Sequence, residues 1–312
     1  MRGKRKRKDV AEFSLNFMDN VLALHEELKV KIYKHGNYQA FRISDPKPRD
    51  IHKAKVRDRL IHHAIYRIIR PYFESKFMFD SYSCRIKKGT HKAVNRFRCF
   101  SLKVSKNNTK QCWILKCDIK KFFASIDHEI LKNILSKYIG DENVLWLFSQ
   151  VIDSFNTKGK SNVGLPLGNL TSQLLVNIYM NEFDQFAKRE LKTKYYIRYA
   201  DDFAIFHEDK NYLENLIPKI SEFLETKLKL SLHPSKVSIK TLTSGVDFLG
   251  WVNFPKHRIL RTSTKRRMMK KLRKNNKAES VVSYLGLLSH GDGYKLANKI
   301  AKLYSEKMIP NI

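Results

Sequence analysis

The sequence predicts an α+β fold, on three observations. Residues 113–118 and 195–207 alternate apolar and polar side chains as strands do, the second stretch turning at Ala200-Asp201-Asp202. Residues 50–72, 127–156, 171–191 and 211–230 repeat apolar side chains at helical spacing instead. Residues 265–277 are crowded with Lys and Arg and hold no acid, with Met268, Met269 and Leu272 interleaved as on a helix with one apolar stripe.

The elements follow in order. Residues 10–40 carry Phe13, Phe17, Val21, Leu22 and Leu24 at helical spacing. Residues 41–46 read as extended, bounded by Pro46 and Pro48. A helix is expected from about residue 50 to 72, with Leu60, Ile61, Ala64, Ile65, Ile68 and Ile69 inward and Pro71 near its end. Residues 80–92 form a polar segment with Gly89, and a further helical stretch follows. One helix is expected over 127–156, beginning at Asp127. A Gly/Pro-punctuated loop at 159–169 then leads into the helix at 171–191. Residues 237–239 and 246–254 read as strands.

The chain of 312 residues is long enough for two or three subdomains. Its 61 Lys and Arg against 30 Asp and Glu leave a net charge of +31, which repels itself unless a polyanion lies opposite. Nucleic acid is the first candidate. A membrane partner is disfavoured, because no apolar run approaches the roughly 18 residues of a spanning helix. Cys84, Cys99, Cys112 and Cys117 form no CxxC pair and no zinc spacing, which fits a reduced, cytoplasmic protein. The basic N-terminus, Met1 to Lys8, lacks the apolar stretch of a secretory signal. An arm touching phosphate, a nuclear localisation signal and a solvated tail are its alternatives.

The candidate chemistry lies in carboxylates. Extending a nucleic-acid chain requires an activated 3′-hydroxyl and a neutralised triphosphate, and a pair of metal ions held by bridging carboxylates does both. Asp118 ends one expected strand, and Asp201 and Asp202 occupy the tip of an expected hairpin. Adjacent aspartates also suit ordinary turns, so the pair alone is weak.

Their surroundings form a pattern. Tyr199-Ala200-Asp201-Asp202 resembles the YADD box of reverse transcriptases, and Cys117-Asp118-Ile119-Lys120-Lys121-Phe122-Phe123 the first catalytic box of the bacterial and intron-encoded members. Leu165-Pro166-Leu167-Gly168-Asn169-Leu170-Thr171-Ser172-Gln173 is similar to the segment that cradles template base and incoming nucleotide. Residues 42–45, 80–85 and 89–91 resemble finger motifs. His233-Pro234-Ser235-Lys236 and Phe248-Leu249-Gly250-Trp251 resemble the two boxes after YADD, the second being the primer grip. The boxes stand in the family's order across residues 40–255.

The resemblance implies a right-hand polymerase fold. It sets a basic N-terminal extension and first helix at 1–40, fingers at 41–112, and a palm at 113–255 with some finger elements at 160–175. A helical basic thumb follows at 256–312. It implies that Asp118, Asp201 and Asp202, with the Ile119 carbonyl, hold two Mg2+ ions that Mn2+ can replace. Phe123, beside Phe122, aligns with the gate that excludes a ribose 2′-hydroxyl; a core aromatic is the other reading. Arg85, Lys87 and Lys88 lie where finger cations grip the triphosphate of a deoxynucleotide. Lys236 aligns with a proton donor to pyrophosphate, an ordinary surface lysine being the alternative. Lys265, Arg266, Lys270 and Arg273 suit the backbone of an RNA/cDNA duplex.

Two departures bear on subtype. The usual glutamine is Leu167, and the usual proline after Ser172 is Gln173. This variant resembles the reverse transcriptases of diversity-generating retroelements, bacterial and phage systems that copy a template RNA with frequent errors at adenines. Residues 283–290 resemble the thumb of that family. The resemblance also implies a small basic accessory protein forming a pentameric ring, and no maturase, endonuclease or RNase H-like extension. An aliphatic Leu167 lacks the amide with which glutamine hydrogen-bonds near the nascent base pair, a physical reason for infidelity; simple packing of the loop is the alternative. Retron, abortive-infection and intron-type reverse transcriptases are the nearest rivals. A non-catalytic RNA-binding protein of the same fold and an RNA-dependent RNA polymerase are more distant ones.

Overall fold

The computed structural model describes residues 3–45, 47–274 and 277–308. Of the basic N-terminus Met1 and Arg2, and of the proline pair Pro46, lie outside them. The chain opens with two helices, α1 (Lys8–Leu15) and α2 (Phe17–Lys29), so the helical pattern expected to residue 40 stops at Lys29. Of its five apolar positions only Leu24 is buried, while Phe17 and Leu22 are exposed. These helices lie on the surface, where one stripe suffices to hold them. Charge holds α1 as well: Asp9 binds both Lys53 and Arg59 at 2.6 Å.

β1 (Gln39–Ile43) pairs antiparallel with β2 (Arg49–Lys53), and α3 (Val56–Lys76) follows. The expected helix start near residue 50 is therefore corrected. Cross-strand bonds to β1, and the His52 N–H donating to the Leu167 carbonyl at 2.9 Å, hold residues 49–53 extended. Pro71 lies inside α3 rather than near its end. Ile61 and Ile65 face inward as expected, but Ala64 is exposed and Ile68 is 73% exposed. The buried face turns instead through Asp58 and His62. These polar groups are partnered: Tyr33 donates to Asp58 at 2.9 Å, and Nε2 of His35 and of His62 meet at 3.1 Å.

Next come α4 (Thr90–Val104) and β3 (Trp113–Asp118). The single helix expected over 127–156 is two, α5 (His128–Tyr138) and α6 (Glu142–Ile152). Asp127 caps the first through the Ile130 N–H, and Asp141 caps the second through Asn143 and Val144. α7 (Leu170–Gln185) is buried on nearly every side, and β4 (Tyr195–Tyr199) and β5 (Asp202–His207) form the expected hairpin. α8 (Lys210–Leu228) and β6 (Ser238–Thr241) follow. The central antiparallel sheet runs β4-β5-β3-β6, and α7 and α8 bury its one face with Leu115, Cys117, Phe203 and Ile205. α4 packs on the other face, where Phe97 meets Phe206.

The strand expected over 246–254 breaks into β7 (Val246–Phe248) and β8 (Trp251–Asn253). Leu249 and Gly250 between them have φ of 52° and 87°, the left-handed pair of a two-residue hairpin turn. β9 (Arg258–Leu260) completes this small sheet. α9 (Thr262–Lys274), α10 (Ala278–Leu288) and α11 (Tyr294–Met308) end the described chain, α9 burying Met268 and Leu272.

The polar cluster under α3 has a pH consequence. Burial first, then the neighbouring His35 and His63, push His62 down to about 3. His35 is also lowered, by burial, while Asp58 opposes it. The folded value lies below the unfolded one, so stability is complete above about pH 6.5 and is lost as pH falls toward 3. We expect urea denaturation to show a loss of about 1–2 kcal/mol between pH 7 and pH 5, much reduced in His62→Gln. Identical pH slopes for the two proteins would contradict this.

Candidate active site

Register builds the site. β3 and β5 pair so that Asp118 stands directly opposite Asp202, at the sheet end where β4 turns into β5. Asp201 occupies that turn, and its carbonyl accepts the Ile119 N–H at 3.2 Å. All three carboxylates thus reach one end of the sheet, Asp118 and Asp202 from paired strands and Asp201 from the turn between β4 and β5. The turn requires a left-handed residue, and Ala200 takes φ 57°, a conformation uncommon outside glycine.

A buried ion pair holds that turn. Arg198 and Asp184 are both fully buried and meet at 2.6 Å. The same guanidinium donates to the Ala200 carbonyl at 3.0 Å and to Ser81 Oγ at 3.1 Å. Tyr196 donates to Asp184 at 2.6 Å. Sequence reasoning missed Arg198 and Asp184; the only available signal was a charged residue at an inward strand position.

Asp202 is pushed up to about 6, by burial first and then by Asp118 and Asp201, with Lys116 opposing. Its Oδ1 is buried without a hydrogen-bond partner, while Oδ2 lies 3.5 Å from Lys116. Burial and Asp118 raise Asp201 above the usual carboxylate range, and Lys236 and Arg49 pull it back. Lys236 donates to Asp118 Oδ1 at 2.7 Å. Among the described residues no three His, Cys, Asp or Glu side chains form a ready-made metal cage. The donor set nevertheless fits a hard divalent ion. An all-oxygen set with an orphaned buried oxygen suits magnesium, which keeps waters and substrate phosphates as its other ligands.

The other expected residues fall into groups. Phe122 is buried, and Phe123 is half-buried against its edge, ring centroids 5.6 Å apart. The Phe123 carbonyl accepts the Leu165 N–H at 2.8 Å, which binds the 165–168 loop beside that ring. Leu167 and Gln173 are half-buried. Gly168 has φ 104°, and a Cβ there would lie 2.7 Å from Ile51. Asn169 secures the same junction, donating to the His52 carbonyl at 2.7 Å. In the Phe248-to-Trp251 box, Phe248 and Trp251 are buried, Phe248 stacking on Phe97, so Leu249 and Gly250 form its tip.

Arg85 stands apart from these groups. Its guanidinium is engaged by Glu74 at 2.7 Å and by the carbonyls of Met78 and Ser81, leaving exposed Lys87 as the more available cation there. Besides Lys236, the cation whose charge reaches Asp201 is Arg49 on β2, which sequence reasoning did not single out. Lys265, Arg266, Lys270 and Arg273 border a groove of about 1290 Å³ between α9 and α11, with Lys295 and Lys299 also lining it. Arg267 of α9 reaches Asp45 beyond β1 at 3.3 Å, so the β1–β2 hairpin and the C-terminal helices touch.

Removing one partner of the buried pair leaves an uncompensated charge. Asp184→Ala is expected to lower unfolding stability by about 3–5 kcal/mol in urea denaturation. A loss under about 1 kcal/mol would show that the pair does not hold the turn.

Comparison with known proteins agrees with this geometry. Residues 33–253 match the family described as reverse transcriptase (RNA-dependent DNA polymerase). Protein YkfC of Escherichia coli is 27% identical over 270 residues, covering 72% of this chain and 68% of YkfC. The group II intron-encoded protein LtrA of Lactococcus lactis is 26% identical over 197 residues, covering 59% of this chain but 31% of LtrA. Telomerase from Candida tropicalis, solved in complex with a fragment of telomeric RNA, shares the fold with a TM-score of 0.57 at 12% identity, covering 92% of this chain and 56% of that one. The chain therefore spans about half or less of several proteins it matches. No helix among the described residues is long and apolar enough to cross a membrane. With residues 33–253 matching that family and the three carboxylates gathered at one end of the central sheet, the chain belongs to the reverse transcriptase family.

Proposed function

We propose that this chain is an RNA-directed DNA polymerase of the diversity-generating type, copying a template RNA into cDNA with frequent errors at template adenines. The observation that carries the polymerase reading is the register pairing Asp118 with Asp202 beside the turn at Asp201. In this reading those carboxylates, with the Ile119 carbonyl, hold two Mg2+ ions, Mn2+ being able to replace them. Bound there, the ions supply Lewis-acid activation of the 3′-hydroxyl and charge neutralisation at the triphosphate. Arg49 and Lys87 meet the triphosphate as cations. Lys236, held against Asp118 Oδ1 at 2.7 Å, would supply the proton that the leaving pyrophosphate takes up. The Phe123 ring excludes a 2′-hydroxyl, supported by the hydrogen bond that ties its backbone to the 165–168 loop. The cationic groove of α9 and α11 takes the RNA/cDNA duplex, and the chain's net charge of +31 suits a large RNA.

The error-prone subtype rests on Leu167 and Gln173, and with it come the pentameric basic accessory protein and a cytoplasmic bacterial or phage setting. A second reading, an intron-type reverse transcriptase, is favoured by the relatives: LtrA and a yeast protein of a COX1/OXI3 intron are both intron proteins by name.

Asp201→Ala is expected to reduce magnesium-dependent primer extension on RNA by at least about 10³-fold. Extension equal to wild type would sink the polymerase reading. Sequencing of the cDNA separates the subtypes: Leu167→Gln should lower misincorporation opposite template adenine by several-fold. Equal, low error in both proteins would favour the intron-type reading.

A further inference from the structure

The central sheet has two ends, and only one carries the carboxylates. β5 runs from Asp202 to His207, and His207 pairs with Trp113 at the start of β3. Five residues of strand put this far end about 17 Å from Asp202. A cavity of about 370 Å³ opens there, within the size range of small-ligand sites. Its rim carries Lys103 and Lys106 from the end of α4, and Lys192 and Lys194 from the segment before β4. Glu208 is the one carboxylate among its lining residues. All four lysines are exposed, and none is in an ion pair among the described residues.

The backbone holds these charges together rather than letting them separate. Lys106 and Lys192 have φ of 47° and 52°, and Asn107 and Asn108 continue the left-handed run at 59° and 69°. Such conformations cost energy in residues other than glycine. The Lys188 ammonium braces one rim, donating to the carbonyls of Thr193 and Lys194 at 2.8 and 2.9 Å. Between the lysines lie aromatic rings, Tyr195 and Tyr212, the latter stacked on His207 with centroids 4.0 Å apart. Lys194 lies over the Tyr195 ring at 5.6 Å from its centroid, and exposed cations beside aromatic rings are the two components of a single-strand nucleic-acid site: the charges meet phosphates and the rings meet a base.

We infer that this far-end cavity binds a single-stranded segment of the template RNA outside the polymerase cleft, taking one nucleotide against Tyr195 and Tyr212 and its flanking phosphates between Lys103, Lys106, Lys192 and Lys194. The site rests on the RNA-copying reading for the identity of its ligand. Its effect is to hold the RNA on the enzyme while the cleft advances along the copied stretch.

The test uses the full chain with its cleft saturated by a short hairpin RNA/DNA duplex. Binding of a fluorescein-labelled 20-nucleotide single-stranded RNA is followed by anisotropy across salt concentrations. Lys103→Glu/Lys192→Glu should weaken binding by about tenfold or more and flatten the log–log salt slope by about 1.4, at roughly 0.7 for each phosphate no longer neutralised. Lys103→Gln/Lys192→Gln should fall between. Primer extension on a short primer–template should match wild type for both variants, which also reports intact folding. Unchanged RNA binding in the charge-reversed protein would overturn the assignment, as would uridine monophosphate displacing the RNA at the RNA's own affinity. Absent extension in wild type would strike the polymerase reading alone, since anisotropy reads the cavity separately.

Discussion

The catalytic edge depends on one buried contact, the Arg198–Asp184 pair. Neither group reaches water, so each requires the other. Asp184 comes from α7, the helix at the centre of the core, and Arg198 from β4, one residue before the YADD box. The remaining guanidinium hydrogens go to the Ala200 carbonyl, to Ser81 and to Asn177 Oδ1. One side chain thus fixes the left-handed turn that presents Asp201 and Asp202, and links it to the segment leading into α4. The backbone repeats the link, with Tyr82 N–H donating to the Arg198 carbonyl and Arg198 N–H to that of Asp80. A buried pair of this kind adds little net stability compared with apolar packing, but it defines one arrangement of turn, helix and loop.

Around this hub the charges are sorted. Three acids occupy one end of the sheet in a protein whose net charge is +31, and burial makes the ionised forms of Asp201 and Asp202 costly. The nearest cations, Lys116, Lys236 and Arg49, come from three different segments and counter that cost only in part. Elsewhere cations gather in the groove of α9 and α11 and at the far end of the sheet. Both lie open to a polyanion, and each has its own aliphatic or aromatic floor.

Legibility in the sequence followed periodicity. β3 and the β4–β5 hairpin could be read almost to the residue, because one strand face is apolar and the turn is a compact Ala-Asp-Asp. β2 could not: Arg-Asp-Ile-His-Lys has no alternation of its own and is extended only because β1 and the Leu167 carbonyl bond to it. The break between α5 and α6 was signalled by Gly140-Asp141 but outweighed by the apolar runs on either side. The Leu249-Gly250 turn looked like strand because leucine rarely takes positive φ. Ile68 looked inward by spacing, yet α3 turns its polar residues Asp58 and His62 into the core, where Tyr33 and His35 wait for them.

By itself the sequence determined the type and order of most elements, the chemistry-bearing motifs and the large positive charge, since these follow from local periodicity, motif order and summed charge. Only the tertiary structure decided which charges act on which. Arg85, picked out by motif, is paired with Glu74, whereas Arg49, which the motifs did not single out, lowers the pKa of Asp201. Asp184, silent in the helix pattern of α7, becomes the anchor of the catalytic turn. Coulomb interaction and desolvation depend on distance and burial in space, and sequence separation carries neither.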